Sequence, residues 1–150
     1  SEMCIRDRKY LYVVMSRSGL RYWADYAKYA TEAVFEFVRR REFPQSYSRL
    51  GCAYFFDSEA CCRNHFEMDY GEDPEEGAKV GLFQVELEDP APQYRDMRLY
   101  DLAYEAMSER QDVEEGFRQA RRYFQGGQTE SPMWEILSDK PARAVKRLEL

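Results

Sequence analysis

A chain of 150 residues suffices for one domain that buries roughly two-thirds of the surface its unfolded form exposes. With 44% hydrophobic and 33% charged residues the composition is ordinary for a globular protein, and a net charge of −6 argues against nucleic acid held by bulk electrostatics. No apolar run approaches the ~20 residues needed to cross a bilayer and no secretory signal is visible, so no membrane partner is expected and the cytoplasm is the expected compartment.

Residues 1–8, SEMCIRDR, stand apart from the fold. Back-translated, Glu2 to Asp7 resembles the transposon-end adapter of sequencing libraries, which implies a non-native start and a single α+β domain over 9–150. Cys52, Cys61 and Cys62 then remain, an odd number with two adjacent, which is not a disulfide framework.

Tyr10 to Met15, aromatic and β-branched, reads as a first strand closed by the turn residues Ser16 to Gly19. From Thr31 the pattern turns helical, with Ala30, Ala33, Val34, Phe37 and Val38 on one face. Thr31 is the expected cap, and Pro44 forces an end by Phe43. Gly51 to Phe56 reads as a buried strand inside the sheet, followed by a helix capped by Asp57 or Ser58 and running to about Met68. Asp69 to Glu76 reads as an acidic, mobile loop without the ligand alternation that calcium requires. Val80 to Leu87 is the clearest strand, with Phe83, Val85 and Leu87 on one face and Gln84 and Glu86 on the other. A short strand is expected near Met97 to Tyr100, followed by a helical turn. Asp112 to Gln125 is a firmer helix, opened by the capping pair Asp112 and Glu115 and stopped by Gly126-Gly127. Trp134 to Leu137 and Ala142 to Leu150 read as closing strands around Ser138-Asp139-Lys140-Pro141.

Several constellations could carry chemistry. Cys61, Cys62 and His65 lie close on one helix, but zinc needs about four ligands and only Cys52 remains to help. Buried structural cysteine is the expectation, and no metal is assigned. Neither a glycine-rich phosphate loop nor a repeat is present. The clusters Arg39-Arg40-Arg41 and Arg121-Arg122 read as solvated faces. Glu135 begins an apolar strand beside Trp134. Partial desolvation there would suit hydrogen-bonding or base work, whereas an exposed edge position would make it a guard against aggregation.

Three ordered segments, YLYVVMS, GCAYFFDSEACC and EILSDKPARAVKRLEL, resemble the small ADP-ribosyltransferase fold. The chain is also similar to uncharacterised bacterial proteins with an FPxxxSR-like element before the second strand. The resemblance implies two small mixed or antiparallel sheets flanked by helices, with NAD bound in a cleft. It implies Glu135 as the catalytic carboxylate and Tyr12, Arg17, Ser48, Arg49 and Tyr54 as NAD-binding residues. Within that set Tyr54 would stack on nicotinamide, and Arg17 or Arg49 would hold the pyrophosphate. The chain departs from the family pattern in three places. The first strand has Tyr12 and Val13 in place of a His, no Ser-Thr-Ser triplet occurs, and Met133 stands where the arginine-modifying subgroup carries Glu or Gln. The expected function is transfer of ADP-ribose from NAD to an acceptor, with a protein among the candidate acceptors. The alternative is a catalytically inactive relative, or an interaction module of a toxin or defence system, and a third class is a metal or redox protein using Cys61, Cys62 and His65.

Overall fold

The computed structural model describes residues 10–16 and 26–150. In chain order the elements are β1 (Tyr10–Ser16), α1 (Tyr26–Glu42), β2 (Ala53–Phe55), α2 (Glu59–Tyr70), α3 (Pro74–Gly77), β3 (Val80–Leu87), β4 (Gln93–Asp96), α4 (Met97–Arg110), α5 (Val113–Phe124), β5 (Trp134–Ser138) and β6 (Ala142–Leu148). The architecture is α+β, with two three-stranded sheets of order β1-β3-β6 and β2-β5-β4. Among the described residues, contacts divide the chain into two compact units, residues 10–16, 54–91 and 140–150 on one hand and residues 26–53 and 92–139 on the other. The expectations for residues 1–8 and for Arg17 lie outside the described residues.

In the first unit β3 pairs antiparallel with both β1 and β6. Register places Val14 opposite Leu82 and Val13 opposite Phe83, so both faces of β3 carry apolar side chains. The core cluster forms on the Val80 and Leu82 face, with Phe56, Cys62, Tyr70 and Leu148, rather than on the Phe83, Val85 and Leu87 face. Helix α2 starts where its cap chemistry demands: the Ser58 side chain accepts from Cys61 N at 3.1 Å. The acidic stretch after it is not a plain loop. Asp73 caps α3 by accepting from Glu76 N at 3.1 Å, and Pro74, which needs no amide donor there, opens the turn.

In the second unit α1, α4 and α5 enclose a core of Phe35, Val38, Leu99, Tyr100, Ala103, Ala120, Tyr123 and Phe124. Phe35 meets Tyr100 and Tyr123 edge-on, with centroids 5.1 and 5.2 Å apart. Helix α1 begins at Tyr26, so Thr31 is interior and buried rather than a cap. Its hydroxyl donates to Ala27 O at 2.8 Å, which satisfies it without ending the helix.

Three further expectations are corrected. The strand expected at Met97–Tyr100 is instead Gln93–Asp96, and Met97 opens a full 14-residue helix. Asp96 causes the switch. Its carboxylate accepts from Arg98 N at the helix start, from Met133 N, and from both the amide and hydroxyl of Thr129. The segment Gly51–Phe56 pairs only over Ala53–Phe55 and stands at a sheet edge, with β5 in the centre. Finally, β5 and β6 do not form a hairpin, because β5 pairs with β4 and β6 with β3. Helix α5 matches expectation, and Asp112 accepts from Glu115 N at 3.0 Å. Gly126, at φ 77°, follows it in a conformation that side chains disfavour.

Candidate functional site: an arginine between two carboxylates

Within the second unit, Glu32, Glu36 and Arg39 recur on α1 at spacings of four and three, which places them along one helix face. The FPQSYSR loop is bound to that face. Arg39 Nη1 donates to Ser46 O at 3.2 Å, and the Ser48 hydroxyl donates to Glu36 Oε2 at 2.8 Å. Tyr47 N donates to Gln93 Oε1 on β4 at 2.7 Å. The hydrogen bond from Arg39, helped by Arg40 and Ser48, lowers the Glu36 pKa to about 2. This loop delivers Arg49.

Arg49 is the centre of the unit's polar interior. Nε and Nη2 donate to the two Glu32 oxygens at 3.0 and 3.2 Å, a fork that suits the planar guanidinium. Nη1 donates to Tyr123 Oη at 2.8 Å and also to Glu135 Oε1. Tyr123 in turn donates its hydroxyl proton to the same Oε1 at 2.6 Å. The Tyr100 ring lies 4.3 Å from the guanidinium carbon, adding a cation–π contact. Side-chain exposure is 8% for Arg49 and 6% for Glu135, so solvent screens this ion pair little. Burial pushes the Tyr100 phenol upward, and it pushes the neighbouring Cys52 thiol up to about 12. Tyr100 and Cys52 are therefore neutral at pH 7.

Glu135 sits on the central strand and is buried, which overturns its reading as an exposed edge charge. Its Oε1 accepts from both Arg49 and Tyr123, whereas no donor among the described residues is directed at Oε2. Directly across the ladder stands Arg95, paired in register with Glu135 on β4. Arg95 Nη1 donates to Tyr94 O at 2.9 Å and Nη2 to Ser46 Oγ at 3.4 Å, and no carboxylate among the described residues pairs with it. Burial lowers the pKa of this guanidinium, though arginine stays charged in proteins. One face of the sheet thus carries a held carboxylate beside a cation that forms no ion pair among the described residues.

Of the residues expected from sequence, Glu135 and Arg49 touch each other, and Ser48 lies in the same loop but bonds Glu36. Tyr12 and Tyr54 belong to the first unit, where the Tyr12 backbone bridges to Phe56 through bonds of 2.8 and 2.7 Å. Sequence reasoning missed Glu32, Tyr100, Tyr123 and Arg95. The spacing of Glu32 and Glu36 was visible on the helix, but nothing local distinguishes them from a solvated face. Tyr123 belongs to the buried stripe of α5, and its hydroxyl role depends on where β5 lies.

Cys62 is buried in the core, His65 Nε2 lies 3.1 Å from Asp69 Oδ2, and among the described residues no three His, Cys, Asp or Glu side chains are grouped to hold a metal.

No curated protein matches the chain. The model of one protein family, described as a protein of unknown function (DUF2441), matches residues 11–149, and that span establishes that the chain belongs to the DUF2441 family.

Proposed function

We propose that the protein is an ADP-ribosyltransferase-like enzyme that cleaves the nicotinamide–ribose bond of NAD, with Glu135 as its catalytic carboxylate. The observation that carries this reading is the state of Glu135. It is buried on the central strand, with one oxygen held by Tyr123 and Arg49 and the other without a donor among the described residues. A carboxylate fixed before the substrate arrives can stabilise positive charge developing on ribose C1′ without reorganising. Further support comes from two small sheets whose first, second and late strands carry the segments that resemble the family. In this reading the C1′–N bond breaks, its electron pair leaves with neutral nicotinamide, and an acceptor lone pair closes on C1′ before losing its proton. Arg49, engaged by two carboxylates, positions Glu135 rather than gripping phosphate.

The same engagement favours a second reading. An arginine with both forks occupied fits a catalytically inactive, interaction-only relative equally, since losing it would strand two buried carboxylates whether or not the site turns over. Nicotinamide release from NAD separates the two. Wild type should release nicotinamide, and Glu135→Gln should lose at least 100-fold in rate while still binding NAD in a thermal-shift titration. Equal rates in both proteins, or no stabilisation of wild type by NAD, would leave the interaction reading standing.

A further inference from the structure

We infer that Arg95, seated by Ser46, is the anion anchor of this site and holds a phosphoryl group of a nucleotide diphosphate beside Glu135. The inference deepens the proposed NAD reading and rests on it for the identity of the nucleotide, though not for the anion chemistry.

Placement comes first. Arg95 and Glu135 are directly opposed in an antiparallel ladder, so their side chains leave the same face of the sheet with Cβ atoms roughly 5 Å apart. Such a pair would ordinarily form a salt bridge. Here no bridge forms: Glu135 takes Arg49 and the Tyr123 hydroxyl on Oε1, while Arg95 is turned to Tyr94 O and Ser46 Oγ. Arg95 is left half-buried, with a backbone carbonyl and a serine hydroxyl as its protein acceptors. Those two contacts use one proton on each terminal nitrogen. Nε–H and one further proton on each Nη have no acceptor among the described residues, an arrangement that suits two adjacent phosphoryl oxygens.

Contrast with the other arginines of this unit sharpens the point. Arg39 and Arg40 share Glu36, Arg49 takes Glu32 and Glu135, Arg118 takes Glu115, and Arg121 takes Glu42. Arg95 and Arg122 are both partly buried without a carboxylate partner among the described residues, but Arg122, on α5, is engaged by the Gln119 side chain and the Gln128 carbonyl, whereas Arg95 lies across the ladder from Glu135. Removing a cation from water without supplying an anion is unfavourable, and a bound phosphoryl group supplies one. Ser46 is itself fixed, since its carbonyl accepts from Arg39 and its amide donates to Phe43 O at 2.9 Å. The anchor is therefore oriented before ligand arrives.

The test uses the full chain with ADP, inorganic pyrophosphate, inorganic phosphate and adenosine as probes, read by calorimetry at low salt. ADP and pyrophosphate should bind, adenosine should bind at least tenfold more weakly, and pyrophosphate should compete with ADP. Arg95→Gln should weaken ADP at least tenfold, whereas Arg118→Gln, which removes an equal charge from an exposed helix face, should not change it. Ser46→Asp places a counter-ion beside Arg95. It should raise the melting temperature and abolish ADP binding, a pair of effects that a merely structural Arg95 would not produce. Unchanged ADP affinity in Arg95→Gln or in Ser46→Asp, or no binding of ADP or pyrophosphate to wild type, overturns the assignment. Should ADP binding depend on Arg95 while NAD is not cleaved, the anchor stands and the transferase reading falls. Should NAD be cleaved with the same KM in Arg95→Gln, the transferase reading stands and the anchor falls.

Discussion

Replacing Arg49 by Met tests the central ion pair most directly. The substitution keeps much of the side-chain volume while removing two hydrogen bonds to Glu32, one to Glu135 and one with Tyr123. It also removes the cation stacked on Tyr100. Two carboxylates then remain without their cation, and breaking a buried pair in this way costs about 3–5 kcal/mol. With a urea slope of about 2 kcal/mol per M for a chain of this size, the unfolding midpoint should fall by roughly 2 M. Most of that loss is the cost of stranded charge rather than the net worth of the pair. The triple variant Arg49→Met, Glu32→Gln, Glu135→Gln should therefore be more stable than Arg49→Met alone, by about 1–3 kcal/mol. Arg49→Lys should fall between, since an ammonium retains charge but cannot reproduce the fork on Glu32. Equilibrium urea unfolding followed by far-ultraviolet circular dichroism supplies all four midpoints. A loss below about 1 kcal/mol in Arg49→Met, or a triple variant less stable than the single, would refute the reasoning.

Two other outcomes follow from the titrating groups. Glu36 has a folded pKa of about 2 against an ordinary 4.5, so its contribution is complete above pH 4.5 and disappears as pH falls towards 2. The shift sets a ceiling of about 3 kcal/mol, which solvent screening at this half-buried site reduces to about 1–2 kcal/mol. The gap in urea midpoint between wild type and Glu36→Gln should accordingly be full at pH 6 and shrink to roughly a quarter at pH 2.5; an undiminished gap at pH 2.5 would refute this. Burial raises the Cys52 thiol to about 12 and the Cys62 thiol to about 11, leaving little thiolate at pH 8. Iodoacetamide should label both at least tenfold more slowly in the folded protein than in urea, and peptide mass spectrometry after timed quenching would expose equal rates.

Local chemistry made much of the chain legible. Strand β3 was readable to its ends because β-branched and aromatic residues alternate between clear turn signals. The start of α2 at Ser58 and of α5 at Asp112 was readable because a capping side chain bonds an amide three residues away. The same locality explains the failures. Thr31 and Asp96 carry side chains suited to capping, but the tertiary surroundings decide whether they cap. Thr31 finds its acceptor inside the helix, while Asp96 gathers Thr129 and Met133 from more than thirty residues away.

The site divides in the same way. Sequence alone singled out Glu135 as a carboxylate beginning an apolar strand and Arg49 as a polar residue of the FPQSYSR loop. Only the tertiary structure decided that the two touch, that Glu32 and Tyr123 complete their environment, and that Arg95 lies across the ladder from Glu135. The physical reason is reach. Capping and turn bonds span a few residues and leave a mark in the local sequence, whereas Arg49 and Glu135 are 86 positions apart. Their contact depends on strand register and helix packing, which spread the relevant information over the whole unit.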